Sequence, residues 1–120
     1  MFAVVKIGTK DVPMLAMGNI DLCYWNVFHE DAIKMQSDPS FSVGDSINLL
    51  QKMGYVMAMY AEKKSAKDLR SCNYDTYAEW LGQFERNDLL EAIGAIRDVY
   101  EGNAAPSSTA KKNTDQQSEE

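Results

Sequence analysis

Two short apolar runs rich in β-branched residues open the chain, and they predict a β-hairpin. Residues 2–7 read FAVVKI, turn-forming residues follow at 8–11, and apolar residues return at 12–17 as VPMLAM. Pro13 is compatible with the outer edge of the second strand, where no ladder hydrogen bond is required. Because an isolated two-stranded hairpin is only marginally stable in water, we expect it to pack on the helices that follow.

From about residue 19 the pattern changes, and apolar positions recur at the spacing of amphipathic helices. A first helix is predicted over 19–36, where Asn19 and Asp21 are good N-cap residues. It ends before the loop-forming segment at 37–40. The residues predicted on its buried face are Leu22, Trp25, Val27, Phe28, Ala32 and Met35.

Three more helices are predicted by capping signals and apolar spacing. Ser42 and Asp45 resemble a capping box, and the helix that they begin extends to about residue 63, with Gly54 marking a close approach of another helix. Thr76 and Glu79 form a second capping-box pattern for a helix over 75–84. The last helix is predicted over about 88–101. Its predicted ends are Asn87 as N-cap and Gly102 as C-cap glycine.

The composition changes abruptly after residue 103. The segment 104–120, AAPSSTAKKNTDQQSEE, has no large apolar residue, so it cannot bury enough surface to offset the entropy lost on ordering. The sequence therefore predicts an α+β fold that is mainly α, with an N-terminal β-hairpin packed on about four helices over 1–103. Residues 104–120 are predicted to be a disordered polar tail.

The net charge, the hydropathy and the number of cysteines disfavour several classes of protein. A formal net charge of -6 and a pI near 4.7 disfavour binding to nucleic acid, because an acidic chain repels the phosphate backbone. No apolar run approaches the roughly 18 residues of a membrane span. Two cysteines are too few for a disulfide-stapled secreted domain, and no secretory signal is visible in the first twenty residues. These features predict a soluble cytoplasmic protein.

The residues that catalysis requires are scarce. His29 is the single histidine, and its neighbours Glu30 and Asp31 suggest a place on the polar face of the first helix. A catalytic triad or a histidine-based zinc site would need it together with well-placed partners. Cys23 and Cys72 lie too far apart in sequence for paired zinc ligands. We therefore expect a binding protein without catalytic residues, metal site or cofactor.

Flexible and aromatic side chains are the features most typical of a binding surface. Met35, Met53, Met57 and Met59 fall in or near the first two helices, where they indicate either core filling or an adaptable groove. Four aromatic residues lie close together at Tyr74, Tyr77, Trp80 and Phe84. Not all four can point inward from one short helix, and Tyr and Trp are common interface anchors. The candidate protein-binding residues are Tyr77, Trp80, Phe84 and Met57.

A family pattern runs through residues 4–103. The second half contains YVMAMYAE at 55–62, a charged loop, and YAEWLGQFERNDLLEAIGAIRDVYEGN at 77–103. Together with the Val-Lys-Ile-Gly hairpin at 5–8 and with Tyr24, Phe28 and Asp31, this resembles the tail assembly chaperones of long-tailed bacteriophages, especially siphovirus-type phages of Gram-positive hosts. The matching positions of the second half are Tyr77, Glu79, Trp80, Leu81, Gln83, Phe84, Asp88, Leu89, Ala92, Ile96 and Tyr100. One departure is His29-Glu30, where the family pattern has Gly-Lys.

The resemblance implies a function in the host cytoplasm. Such chaperones bind the tape measure protein, and in some systems the tail tube protein, before the tube polymerises, and they are absent from the mature virion. Self-association on the client is compatible with this role. Many are also made in a longer form by a programmed ribosomal frameshift, and codons for Lys111-Lys112 would suit such a site. The alternative is a small helical regulatory or inhibitor protein from a phage or another mobile element, which gene context would distinguish.

Overall fold

The computed structural model describes residues 1–103, and the predicted disordered tail at 104–120 lies outside the described residues. The predicted fold class is confirmed: a two-stranded antiparallel hairpin is followed by a mostly helical chain. The elements are β1 (Phe2–Ile7), β2 (Lys10–Leu15), α1 (Ile20–Phe28), α2 (Ala32–Ser37), α3 (Val43–Lys63), a 3₁₀ helix (Ala66–Ser71), α4 (Tyr74–Leu81) and α5 (Arg86–Glu101).

The hairpin packs on the helices, as expected from its short length. Its register pairs Phe2 with Leu15 and Ile7 with Lys10 across a two-residue turn. Side chains alternate between the two faces, and the face that contacts α3 and α5 buries Ala3, Val5, Ile7 and Met14. Gly8 turns the chain with a φ of 63°. A Cβ at this position would also lie 2.5 Å from Oδ2 of Asp88, so that the carboxylate would have to move aside.

The prediction of a single first helix over 19–36 is wrong about the length of the helix and about part of its buried face. The segment is not one helix, because α1 ends at Phe28, His29 adopts a left-handed φ of 58°, and α2 begins only at Ala32. The predicted buried face is only partly correct, because Leu22 is 59% exposed and Trp25 is 47% exposed. The other predicted residues do face the core, buried at Val27 and Ala32 and partly buried at Phe28 and Met35. The physical reason for the two exposed residues is that α1 carries two overlapping apolar stripes, and packing selects the other one. That buried stripe consists of Ile20, Cys23, Tyr24 and Val27.

The central helix α3 begins as its sequence predicts. The backbone N–H of Asp45 donates to Oγ of Ser42 at 3.1 Å, and the N–H of Ser42 donates to Oδ2 of Asp45 at 3.0 Å, which confirms the capping box. Between Leu49 and Ala58 nearly every residue is buried, because the hairpin, α1, α4 and α5 all contact this helix. No helix within residues 1–103 is long and apolar enough to cross a membrane.

The ends of the last two helices are partly as predicted. The capping box of α4 is formed by Asn73 and Thr76, not by Thr76 and Glu79, so the helix begins at Tyr74. Helix α5 begins at Arg86, one residue before the predicted cap Asn87. At the other end Gly102 adopts a left-handed φ of 77°, which confirms the predicted C-cap glycine.

Gly54 lies where α3 and α5 approach each other closely, as its position in the apolar stripe suggested. A Cβ built on Gly54 would lie 3.1 Å from Cδ1 and 3.3 Å from Cγ2 of Ile96. Gly94, the interior glycine of α5, is exposed, and apart from its own helix backbone and chain neighbours no heavy atom of residues 1–103 would lie within 4 Å of a Cβ there. The two glycines therefore differ in packing although both lie inside helices.

We predict opposite consequences for alanine at these two glycines. Gly94→Ala should raise the free energy of unfolding by roughly 0.5–1 kcal/mol, the gain in helix propensity. Gly54→Ala should not raise the free energy of unfolding, because the added methyl group would contact Ile96. Gly54→Leu should lower the free energy of unfolding by about 1–3 kcal/mol, because the larger side chain overpacks the contact between α3 and α5. Urea unfolding followed by circular dichroism measures all three variants. Equal stabilisation by both alanine variants would contradict the close approach at Gly54.

Candidate docking cleft

The structure places three of the four candidate binding residues in the core. Met57 is fully buried, Tyr77 is 3% exposed and Trp80 is 6% exposed, whereas Phe84 is only partly buried. The reason is the spacing in α4, which turns Tyr77 and Trp80 toward α3 on one helical face. Phe84 follows the end of this helix, where its backbone N–H donates to the carbonyl oxygen of Leu81 at 3.1 Å. Phe84 is therefore the candidate with the most accessible side chain.

The aromatic residues form a continuous cluster between α1, α3 and α4. The ring of Tyr55 lies 5.6 Å from each of the rings of Tyr77 and Trp80, measured between centroids. Phe28 lies edge-on to Tyr77 at 5.2 Å, and Trp80 lies edge-on to Phe84 at 5.1 Å. Such edge-to-face pairs add to the stabilisation from burial alone. The cluster thus holds Phe84 in place from the core side.

A cleft of about 380 Å³ opens beside Phe84, between the hairpin, α3 and the end of α4. Its walls combine apolar side chains with a polar rim. The lining residues are Lys10, Asp11, Val12, Pro13, Ala58, Met59, Ala61, Glu62, Trp80, Gln83 and Phe84. This volume is within the range of about 300–1,000 Å³ that is typical of binding pockets, so the cleft can receive a few apolar side chains. We call it the hairpin cleft.

The methionines divide between the core and this cleft. Met53 and Met57 have no exposed surface, which favours the core-filling interpretation for these two. Met59, two residues beyond Met57, is partly buried and lines the hairpin cleft. The sequence interpretation named both Met57 and Met59 among the methionines of an adaptable groove and chose Met57 as the candidate, because helix periodicity alone does not tell which side of α3 the hairpin covers.

Charges of both signs surround the hairpin cleft. Nζ of Lys10 lies 5.7 Å from the centroid of the Phe84 ring, within reach of a cation–π contact. Asp11, on the same strand, pairs with Lys6 at 2.9 Å, and this pair is largely exposed. Glu62 lies on the α3 side of the rim. Exposed pairs contribute little to stability, so the rim is free to rearrange around a ligand.

A buried charge lies on the far side of the aromatic cluster. Lys52 is 6% exposed, and its Nζ lies 3.2 Å from Oε2 of Glu30. The same Nζ lies 5.5 Å from the centroid of Phe28 and 5.4 Å from that of Tyr74. The Tyr24 hydroxyl donates to Oε1 of Glu30 at 2.8 Å. Burial, together with this hydrogen bond, raises the pKa of Tyr24 well above its ordinary value, because the ionised phenolate would be both desolvated and repelled by Glu30.

Within residues 1–103 no three histidine, cysteine or acidic side chains are grouped closely enough to hold a metal ion. His29 is exposed at the end of α1, with its ring 6.1 Å from that of Trp25. Cys23 and Cys72 are both buried free thiols, and burial raises the pKa of Cys23. A buried thiol with a raised pKa is a poor nucleophile, so Cys23 does not have the surroundings of a catalytic cysteine.

A second exposed apolar surface was missed by the sequence interpretation. It includes Leu22 and Trp25 on α1, which are 59% and 47% exposed and line one concavity. Both were interpreted as buried because they fit a helical stripe. The available signal was the competing stripe at Ile20, Cys23, Tyr24 and Val27, whose spacing of three and four residues fits a buried helix face equally well.

Comparison of the chain with protein-family models, with curated proteins and with solved structures found no significant match.

Proposed function

We propose that this protein is a tail assembly chaperone of a long-tailed bacteriophage, which binds the tape measure protein in the host cytoplasm before the tail tube polymerises. The proposal is supported by the resemblance over residues 4–103. The observation that carries it is that the segment 77–84, where the resemblance is densest, forms one wall of the hairpin cleft through Trp80 and Phe84. The tail tube protein is a second possible client of the same surface.

The hairpin cleft suits one face of a client helix. A long tape measure chain is expected to expose amphipathic helical stripes, and such a stripe presents apolar side chains every three or four residues. Phe84 provides a rigid aromatic anchor that Trp80 supports from below. Met59 provides a flexible side chain that adapts to different apolar residues. Covering these stripes would keep client chains from associating with one another before assembly.

Phe84→Ala should weaken binding of the tape measure protein. Truncating an aromatic anchor at the centre of an interface typically costs about 2 kcal/mol or more, which corresponds to roughly a thirtyfold loss of affinity. The two proteins would be co-expressed, captured through a tag on the tape measure protein, and compared by titration of the purified chaperone. Because Phe84 is only partly buried, its removal should change the melting temperature much less than removal of a core aromatic residue.

Phe2→Ala is the matched control, because Phe2 is 55% exposed and does not line the hairpin cleft. This variant should bind the client as the unmodified protein does. If the unmodified protein does not bind the tape measure protein at all, the proposed function is wrong and a regulatory or inhibitor role becomes the better explanation. If it binds and Phe84→Ala binds equally well, the client lies outside the hairpin cleft.

A further inference from the structure

Two large apolar side chains lie largely exposed on the outer face of α1, which is turned away from α3 and the 3₁₀ helix. Leu22 and Trp25 are one helical turn apart, with 59% and 47% of their surfaces exposed. Together with Asp21 and Asp31 they line a concavity of about 410 Å³. We call the four residues that line this concavity the α1 surface.

Packing of α1 within the fold does not by itself explain why Leu22 and Trp25 are large apolar residues. Helix α1 already packs against α3 and the 3₁₀ helix through the opposite stripe, and about half of the surface of Leu22 and Trp25 stays in contact with solvent. Isolated exposed apolar residues are common, but a tryptophan and a leucine lining one concavity form a patch. Tryptophan is also among the residues that most often dominate binding energy. These observations indicate a docking surface.

The charges around the α1 surface determine the kind of partner. Asp21 lies beside Leu22, and Asp31 lies across the concavity beyond the end of α1. Among residues 1–103, which the structure describes, no basic residue lines this concavity. Acidic residues on the rim of an apolar patch favour partners with basic residues at matching positions and repel acidic ones. The net charge of -6 for the whole chain acts in the same direction.

A second copy of this chain is a poor occupant. In a twofold symmetric dimer the same patch faces itself, so Asp21 and Asp31 of both copies would surround one apolar centre. Four carboxylates around a desolvated contact would repel one another, and the remaining charge of two acidic chains would add to this repulsion. A different protein with a basic contact segment avoids both costs.

We propose that the α1 surface binds a basic amphipathic helix of a partner protein, whose apolar stripe covers Leu22 and Trp25 while flanking Lys or Arg residues pair with Asp21 and Asp31. Because the residues of this surface are all different from those that line the hairpin cleft, the proposal goes beyond the function proposed above and does not depend on the identity of the client. The protein would thus engage partners at two surfaces.

Synthetic helical peptides test this proposal directly. One peptide carries a leucine stripe flanked by lysines, and a matched peptide carries the same stripe flanked by glutamates. The lysine peptide should bind the full chain, and its affinity should fall as salt is raised. Trp25→Ala should weaken that binding roughly thirtyfold, the fold-change typical of an interface anchor. The glutamate peptide should not bind measurably.

The acidic residues need substitutions that preserve their structural contacts. Oδ1 of Asp21 accepts from the Tyr100 hydroxyl at 2.6 Å, and Oδ1 of Asp31 accepts from the backbone N–H of Lys34 at 3.0 Å as the cap of α2. Asn can make both contacts without the charge, so Asp21→Asn combined with Asp31→Asn should weaken binding of the lysine peptide about threefold to tenfold. Glu91→Gln combined with Asp98→Asn, at exposed positions of α5, removes the same net charge and should have little effect.

Three outcomes would overturn the proposal. The first is equal binding of the lysine and glutamate peptides, or binding of neither. The second is loss of peptide binding in Phe84→Ala with retention in Trp25→Ala, which would place the peptide in the hairpin cleft. The third is a concentration-dependent dimer in sedimentation experiments that Trp25→Ala abolishes, which would make a second copy the occupant. None of these outcomes depends on whether the tape measure protein binds.

Discussion

Replacing Trp80 by alanine is expected to lower the free energy of unfolding by about 3–5 kcal/mol. The Trp80 side chain is 6% exposed and lies within contact distance of Tyr55 and Phe84, so its removal leaves a large cavity in the aromatic cluster. Because a small domain has only about 5–15 kcal/mol of stability, this loss is a large fraction of the total. For a domain of this size the melting temperature should fall by at least about 12 °C.

Trp25→Ala provides the matched control, since it removes the same side chain from a position that is 47% exposed. Its free energy of unfolding should fall by only about 1–1.5 kcal/mol, well below the loss in Trp80→Ala, because about half of the Trp25 side chain is already exposed. Urea unfolding followed by far-ultraviolet circular dichroism compares the two variants without relying on tryptophan fluorescence. Similar losses in both variants would contradict the difference in burial between Trp80 and Trp25.

Lys52→Met should lower the free energy of unfolding by about 2–3 kcal/mol. Removing one partner of a fully buried ion pair typically costs about 3–5 kcal/mol, because the other charge remains without compensation. The cost should be smaller here because the Glu30 side chain is still 34% exposed and keeps its hydrogen bond from Tyr24. Methionine preserves most of the packing against Phe28 and Tyr74, so the loss reports mainly on the charge.

A double variant distinguishes the effect of the lost charge from the effect of the lost packing on the free energy of unfolding. Lys52→Met combined with Glu30→Gln removes both charges while the amide oxygen can still accept from Tyr24. The double variant should therefore recover most of the stability lost in Lys52→Met, because replacing both members of a buried pair is often nearly neutral. A double-mutant cycle measured by urea unfolding gives the coupling energy. Purely additive losses would contradict a direct interaction between Lys52 and Glu30.

The candidate site was only partly predictable. In segment 77–84, Tyr77, Trp80 and Phe84 were all predicted as contact residues, but Tyr77 and Trp80 are buried, and of the three only Trp80 and Phe84 line the hairpin cleft. Nothing in the sequence pairs this segment with Val12 and Pro13, which form the opposite wall. Their proximity depends on how the hairpin packs across α3, and such long-range packing leaves no local signal.

The sequence by itself determined the structural features that depend only on residues close together along the chain. The alternation of side chains in the hairpin, the Ser42–Asp45 capping box and the left-handed Gly102 all arise from contacts within a few residues. These contacts are available before the chain folds, so the residue types alone specify them. The overall fold class follows from the same local patterns.

The tertiary structure decided which of several locally acceptable choices was used. Helix α1 can bury either Leu22 with Trp25 or Cys23 with Tyr24, and only packing against α3 selects the second pair. The same packing buries Lys52, because Glu30 and the aromatic rings reach it from other parts of the chain. Burial is a property of the assembled surfaces and not of a single helix. The exposure of Trp25, from which the second docking surface is inferred, therefore becomes visible only in the folded protein.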